Sequence, residues 1–283
     1  MKNFGIFFNP QIESKEMIFD LLKQFHDYEG VKLYRFKKQD FMPDYFSSVD
    51  IEDARHLDYI LVFGGDGTIL RAIDYSLKCK APILGINLGK LGFLSESNLS
   101  ELKRSIRDLC AGKFKVQSRM LLKVSIKRNN ELIYSSLVLN DAVIYRGEVS
   151  RLIDIKYSCN HRFVMETRCD GIVIATPTGS TAYNLSAGGP IISPLMEAIV
   201  VTPLNPHVLT VRPIVFSRKD KLRFTITQTE NSSILHLDGK NSHNLEKGDV
   251  VIIKSADIKV DFIKLSNKTF FSILRKKFHL GRI

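Results

Sequence analysis

The sequence predicts an α/β amino-terminal domain built on an open Rossmann-like sheet, then an all-β carboxy-terminal domain of stacked sheets or a sandwich. A C-terminal helix is expected to return to the first domain. Three observations carry this fold class. Strand and helix patterns alternate from Lys2 to Cys110. From about residue 115 the texture changes to short alternating strands separated by turn signals. The closing stretch TFFSILRKKFHL regains helical spacing. The expected boundaries are 1–115 for the α/β domain, 116–262 for the β-rich domain and 263–283 for the helical tail.

Each element has a local reason. KNFGIFFNP is a buried strand stopped by Asn9-Pro10. SKEMIFDLLKQFHDY sets Met17, Ile18, Leu21, Leu22 and Phe25 on one helical face, with Ser14 as N-cap. VKLYRF is a second strand. DYILVFGG is a third, apolar enough to be covered on both faces as in a parallel sheet. TILRAIDYSLK is a helix starting directly after the glycines, PILGINLG a strand, and SELKRSIRDLCAGKF a helix. Beyond it, strands flank the turns at Asn129-Asn130 and Asn160. VVTPLNPHVLTVRPIVFS, KLRFTITQT, SSILHLDGK, DVVIIKSA and IKVDFIKL continue as strands, the last two read as separate.

Composition narrows the function classes. A chain of 283 residues suits two domains or one large one. Its formal net charge of +11 favours anionic partners. The basic residues are spread along the chain with no interleaved aromatic stripe, so phosphorylated small molecules fit better than nucleic acid. The four cysteines, Cys79, Cys110, Cys159 and Cys169, contain no CxxC pair. The first twenty residues read as neither a signal peptide nor a span, and no apolar run reaches membrane length. The expectation is a cytoplasmic protein with reduced thiols and no membrane partner.

The chemistry gathers in three places. ILVFGGDGTIL is strand, glycine turn and helix start. Gly64, Gly65 and Gly67 let a ligand approach the backbone, and the N–H groups of a helix start favour phosphate. Asp66 is the unusual member. An anion beside phosphates costs electrostatic energy unless it binds a metal or takes a proton. Both uses suit phosphoryl transfer to a hydroxyl. The plain alternative is a tight turn with Asp66 capping the helix. The second place is RCDGIVIATPTGSTAYNLSAGG, Arg168 to Gly189, a run of hydroxyls and glycines with Tyr183 as a flat surface for a base. Its plain alternative is a polar loop with helix-capping hydroxyls. The third is Asn140-Asp141, which suits an adenine edge and ribose hydroxyls, or simply a turn.

Taken in order, GGDGT (64–68), GINLGKLGFL (85–94), Asn140-Asp141, the DG and TPTGSTAYNLSAGGP run (170–190) and LDG (237–239) resemble the NAD kinases, most of all the bacterial branch. The resemblance covers almost the whole chain. Diacylglycerol kinases and 6-phosphofructokinases have turns similar to GGDGT; the TPTGSTAYNLSAGGP run is the specific part. The resemblance implies ATP-dependent phosphorylation of the 2′-hydroxyl of the adenosine ribose of NAD, with a divalent cation such as Mg²⁺. It also implies an α/β domain and a β-rich domain with the active site between them, and assembly as a homodimer or homotetramer.

By the same resemblance Asp66 is the proton acceptor, and Gly64, Gly65, Gly67 and Thr68 lie on the ATP phosphates. The NAD-binding set is Asp66, Gly67, Arg71, Phe93, Asn140, Asp141, Arg151, Arg168, Asp170, Thr181, Ala182, Tyr183, Asn184, Leu185, Ser186, Asp238 and Lys240. The chain departs from the family pattern where Asp141 replaces the usual Glu and Lys240 the usual Gln. Arg168 resembles members that prefer NAD over NADH. Two other readings compete: a lipid kinase sharing the GGDGT turn, and a non-catalytic dinucleotide sensor.

Overall fold

The computed structural model describes residues 1–12, 15–26, 30–89, 92–147, 152–228, 233–279 and 281. Two compact units divide it, one formed by 1–118 with 260–283 and the other by 119–259. The expected N-cap Ser14 and the site residue Arg151 lie outside the described residues.

In the first unit, β1 (Lys2–Phe8), α1 (Lys15–His26), β2 (Val31–Phe36), β3 (Ser47–Val49), β4 (Tyr59–Phe63), α2 (Asp66–Cys79), β5 (Ile83–Asn87), β6 (Ser97–Asn98) and α3 (Leu102–Cys110) follow in sequence. The strands pair in parallel in the order β6-β5-β4-β1-β2-β3. The chain winds outward from β1 to β3, then restarts at β4 on the other side of β1. The switch point lies between β1 and β4, and the crevice at the carboxyl ends there is where open α/β sheets hold ligands. The GGDGT turn follows β4 directly, so topology alone places it at that crevice.

β4 is buried at every residue, as its unbroken apolar run requires. Phe8 of β1 stacks on Phe63 of β4 with centroids 4.6 Å apart. Ile18 and Leu22 of α1 and Ile106 and Leu109 of α3 close the core. One expected core residue is corrected: Met17 is 58% exposed, and Phe19 at 5% faces the sheet instead. Phe8, Phe46 and Phe19 make one aromatic cluster, which selects the helix face.

The second unit begins in β7 (Lys115–Arg128), continues through β8 (Glu131–Val138), β9 (Asp141–Arg146), β10 (Ile153–Cys159), β11 (Arg162–Cys169), β12 (Gly171–Ala175), the short α4 (Tyr183–Ser186), β13 (Ala198–Leu204), β14 (Ile214–Ser217), β15 (Leu222–Gln228), β16 (Ser233–Leu237) and β17 (Asn241–Leu245), and ends in β18 (Val250–Lys264). One antiparallel sheet has the order β14-β13-β12-β9-β16-β17. In the other layer β11, β10, β15 and β18 are neighbours, and β7 pairs with β18 and β8. Ile144, Ile172, Ile174 and Leu235 from the first sheet meet Val124, Ile155, Tyr157 and Phe224 from the other in a single core.

The two tight hairpins use Asn129-Asn130 and Asn160-His161, all four at positive φ, as two-residue turns require. DVVIIKSA and IKVDFIKL form one strand, β18, rather than two. The polar Ser255-Ala256-Asp257 interior looks like a turn but contains neither Gly nor Pro to break the strand. β17, NSHNL, is too polar to read as a strand and exists because β16 supplies its ladder.

The tail forms α5 (Phe270–Phe278), capped by Thr269 and Ser272, in the first unit. Phe270 and Phe278 each lie 6.0 Å from the ring of Phe93. No helix among the described residues is long and apolar enough to cross a membrane.

Phe63 is fully buried in the stack on Phe8. Phe63→Ala is therefore expected to destabilise the first unit by about 3–5 kcal/mol. Denaturant titration of parent and variant measures the loss.

Candidate active site

In the first unit the carboxyl end of β4 turns at Gly64, whose φ of +149° disfavours any side chain. A Cβ there would also stand 2.4 Å from the Thr68 hydroxyl. Gly65 is the N-cap of α2, and Asp66 is the first helical residue, not the cap. Gly65 and Gly67 are exposed, and nothing lies within 4 Å of the Cβ either would carry. Their smallness leaves backbone N–H groups of a helix start open to an anion.

Asp66 is turned toward a remote loop. Its Oδ2 accepts from the backbone N–H of Phe93 at 2.9 Å and its Oδ1 from that of Leu94 at 3.1 Å. Gly92 makes this possible, since a Cβ there would sit 2.0 Å from Asp66 Oδ1. The two amides fix the plane of the carboxylate. Each oxygen keeps a second lone pair for a hydroxyl or a cation.

Thr68 lies under the glycine turn. It is 3% exposed, packs beneath Gly64, and its hydroxyl accepts from the guanidinium of Arg71 at 3.3 Å. It supports the turn from below. Arg71 itself is exposed on α2. Phe93 is half-buried. Its ring packs on α5, with the Lys277 ammonium 4.5 Å from the centroid.

The second unit contains a cavity of about 420 Å³ lined by Asn140, Asp141, Val143, Tyr145, Ala182, Tyr183, His236, Asp238 and Gly239. Asp238, in left-handed backbone at φ +49°, shapes its floor. Its carboxylate accepts from the backbone N–H groups of Leu139, Asn140 and Asp141 at 2.8–3.0 Å. Its oxygens bracket the Asn140-Asp141 turn, and the residue also lines the cavity. Burial pushes the Asp141 carboxyl up to about 7, and the neighbouring Asp238 charge adds to the shift.

Val143, Tyr145 and His236 were not foreseen from sequence, although a signal existed. Residues two apart on a strand share a face, so Asp141 implies Val143 and Tyr145, and Asp238 implies His236. The register confirms the neighbourhood, with His236 opposite Val143.

The hydroxyl-rich run divides into framework and surface. Thr176 donates to the Leu139 carbonyl and accepts from Gly179 N–H. Ser180 donates to the Pro177 and Ile192 carbonyls. Asn184 is fully buried; its amide donates to the carbonyls of Ser180 and Pro190 and accepts from Thr202 Oγ1 at 2.7 Å. Its polar atoms lock the loop. Ala182 and Tyr183 reach the cavity, while Thr181, Leu185 and Ser186 do not line it. The Thr181 hydroxyl donates to the Thr178 carbonyl.

Arg168, Asp170 and Lys240 also stand apart from the cavity lining. Asp170 is paired with Arg146 at 2.7 Å and accepts from the Asn205 amide at 2.8 Å. Arg168 is 3.5 Å from Asp154 and 55% exposed. Lys240 is exposed at the turn after β16.

A helix start beside a pinned carboxylate, together with an aromatic and acidic cavity on a β-sheet face, defines a nucleotide-handling phosphotransferase class. The ATP-NAD kinase N-terminal domain model matches residues 4–114, and the ATP-NAD kinase C-terminal domain model matches 139–265. The chain belongs to the ATP-NAD kinase family. It is 40% identical to the NAD kinase of Magnetococcus marinus over 222 residues, 78% of this chain and 73% of that protein. It is 41% identical to the NAD kinase of Geobacter sp. over 236 residues, 83% of this chain and 82% of that protein.

Two solved structures share the fold. The yeast NADH kinase complexed with NADH has a TM-score of 0.89 at 25% identity, covering 100% of this chain and 89% of that one. The Archaeoglobus fulgidus NAD kinase in complex with ATP has a TM-score of 0.74 at 26% identity, covering 99% of each.

The raised Asp141 carboxyl has a consequence for stability. Its folded value of about 7 lies above the ordinary 3.8, so between these pH values the folded state holds a proton that the unfolded chain has released. The associated stability is present at the acid end and is lost as pH rises through that window. Asp141→Asn, with no proton to lose, is expected to flatten this slope. Thermal melting of both proteins from about pH 5 to about pH 8 tests it.

Proposed function

We propose that this protein is an NAD kinase that transfers the terminal phosphoryl group of ATP to the 2′-hydroxyl of the adenosine ribose of NAD, giving NADP and ADP. The observation that carries the reading is the Asp66 carboxylate, held by two backbone amides at a helix start between two exposed glycines. Gly65 and Gly67 leave the N-terminal N–H groups of α2 facing the donor's phosphates. Asp66 takes the proton of the ribose hydroxyl as its oxygen forms the new bond to phosphorus. The bond from that phosphorus to the bridging oxygen breaks, and ADP leaves with the electron pair.

In the second unit, the Asn140 amide offers a donor and an acceptor to the adenine edge. Asp141 accepts from ribose hydroxyls, and Tyr145 and Tyr183 supply flat surfaces for the base. Asp238 holds the Asn140-Asp141 turn in place for this purpose. Arg71 and Arg168, both exposed, meet the anionic ligands as they arrive.

Among the described residues no three His, Cys, Asp or Glu side chains form a metal cage. One carboxylate beside a phosphate-binding turn fits Mg²⁺, which needs few protein ligands when phosphates supply the rest. When bound, the cation offsets phosphate charge. All four cysteines are free, in keeping with a cytoplasmic setting. Exposed Leu195, Met196 and Leu209 supply apolar surface for a homo-oligomer.

Purified protein with NAD, ATP and Mg²⁺ is expected to form NADP, read through an NADP-specific dehydrogenase. Asp66→Asn should lower turnover by about 10²–10⁴-fold while leaving NAD binding intact. A variant that turned over like its parent would rule out Asp66 as the base. Asn140→Ala is expected to weaken NAD binding more than ATP binding, by calorimetric titration with each ligand. The reverse order would exchange the two units' assignments.

A further inference from the structure

Asp66 keeps its orientation only while the N–H groups of Phe93 and Leu94 keep theirs, and two residues further along the chain comes a second carboxylate, this one buried. Glu96 has a side chain only 3% exposed. Its Oε1 accepts from Leu265 N–H at 3.0 Å, Ser266 N–H at 2.7 Å and the Ser266 hydroxyl at 2.6 Å. Its Oε2 pairs with Lys264. A charge buried this deeply is tolerated because it is both paired and fully hydrogen-bonded. Every donor comes from the three residues where β18 ends, 169 and 170 positions away for the backbone bonds.

The backbone of the same residue is fixed as well. Glu96 N–H donates to the Gly85 carbonyl of β5 at 2.9 Å. The segment crosses β5 so closely that a Cβ at Gly85 would stand 3.0 Å from Ser95 Cα. At the other end, Gly92 is pressed under Asp66 itself. The five residues 92–96 are therefore clamped at both ends. Between the clamps lie the two amides that aim Asp66. Moving the Glu96 end rotates those amides, because planar peptide units transmit displacement along so short a segment.

We propose that Glu96 is a positioning residue of phosphoryl transfer: it sets the amides of Phe93 and Leu94, and through them the Asp66 carboxylate. The proposal rests on reading Asp66 as the base. Glu96 itself lies outside the dinucleotide cavity, so its loss acts on turnover and spares NAD affinity. Misplacing a reacting group by about 1 Å costs on the order of 10²-fold in rate.

The test is steady-state kinetics on parent, Glu96→Ala, Glu96→Gln, Asp66→Asn and the Asp66→Asn/Glu96→Ala double variant, with folding checked by circular dichroism. Glu96→Ala should lower kcat by roughly 10²-fold and leave KM for NAD within about threefold. Glu96→Gln keeps an acceptor for the Leu265 and Ser266 donors and should recover most of kcat. In the Asp66→Asn background the Glu96→Ala loss should vanish, since residues acting as one unit are not additive.

Full turnover in folded Glu96→Ala, or a loss that multiplies with that of Asp66→Asn, overturns the proposal. If Glu96→Ala does not fold, Ser266→Ala, which removes one of the donors, carries the same cycle. Asp66→Asn alone separates the two ideas. If that single variant is fully active, the base assignment fails; if it is impaired and the cycle is additive, only the role of Glu96 fails.

Discussion

A carboxylate at a helix start beside exposed glycines holds a single orientation only where that orientation is enforced. Backbone amides at Phe93 and Leu94 supply that enforcement for Asp66, and much of the first unit serves to deliver them. β4 brings the glycine turn to the switch point of the sheet. β5 carries the returning segment across its surface, and Gly92 removes the side chain that would collide with Asp66. The acid is thus part of a two-loop assembly rather than a lone residue in a flexible turn.

The same device recurs at two other places. Asp238 accepts from three consecutive amides, 139–141, and Glu96 from two, 265–266. In each case a side chain substitutes for the secondary-structure partner that a loop's N–H groups lack. A charged acceptor makes these bonds stronger than neutral ones and ties together chain segments distant in sequence. The acids differ in what remains free. Each Asp66 oxygen accepts one backbone N–H, whereas Asp238 accepts three N–H groups and Glu96 two N–H groups, a hydroxyl and an ammonium.

The second unit builds its cavity by a simpler rule. β9 and β16 pair antiparallel, and alternate residues face opposite ways. Ala142, Ile144, Leu235 and Leu237 enter the core between the sheets. Asp141, Val143, Tyr145 and His236 point to the other face and line the cavity. Sandwich packing and cavity lining are thus two faces of the same strands. The price is a buried acid, Asp141, whose proton is held toward neutrality by the apolar surroundings and by Asp238.

By itself the sequence determined the alternation of strand and helix around GGDGT, the change to β texture, the Asn turns and the family resemblance. These are local: apolar periodicity and residues suited to positive φ act within a few positions. It also singled out Asp66, Asn140 and Asp141, because glycine spacing and unusual polarity at strand ends are visible in one dimension. Tertiary structure decided which polar residues of the hydroxyl-rich run became framework. Asn184 and Thr202 are 18 positions apart, and Asp238 and Asn140 are 98 apart. Nothing in a polar side chain's identity reveals whether its partner will be a ligand or a remote backbone amide. Only the packing that buries it settles that, because a buried polar group must be satisfied by whatever the fold brings within hydrogen-bond reach.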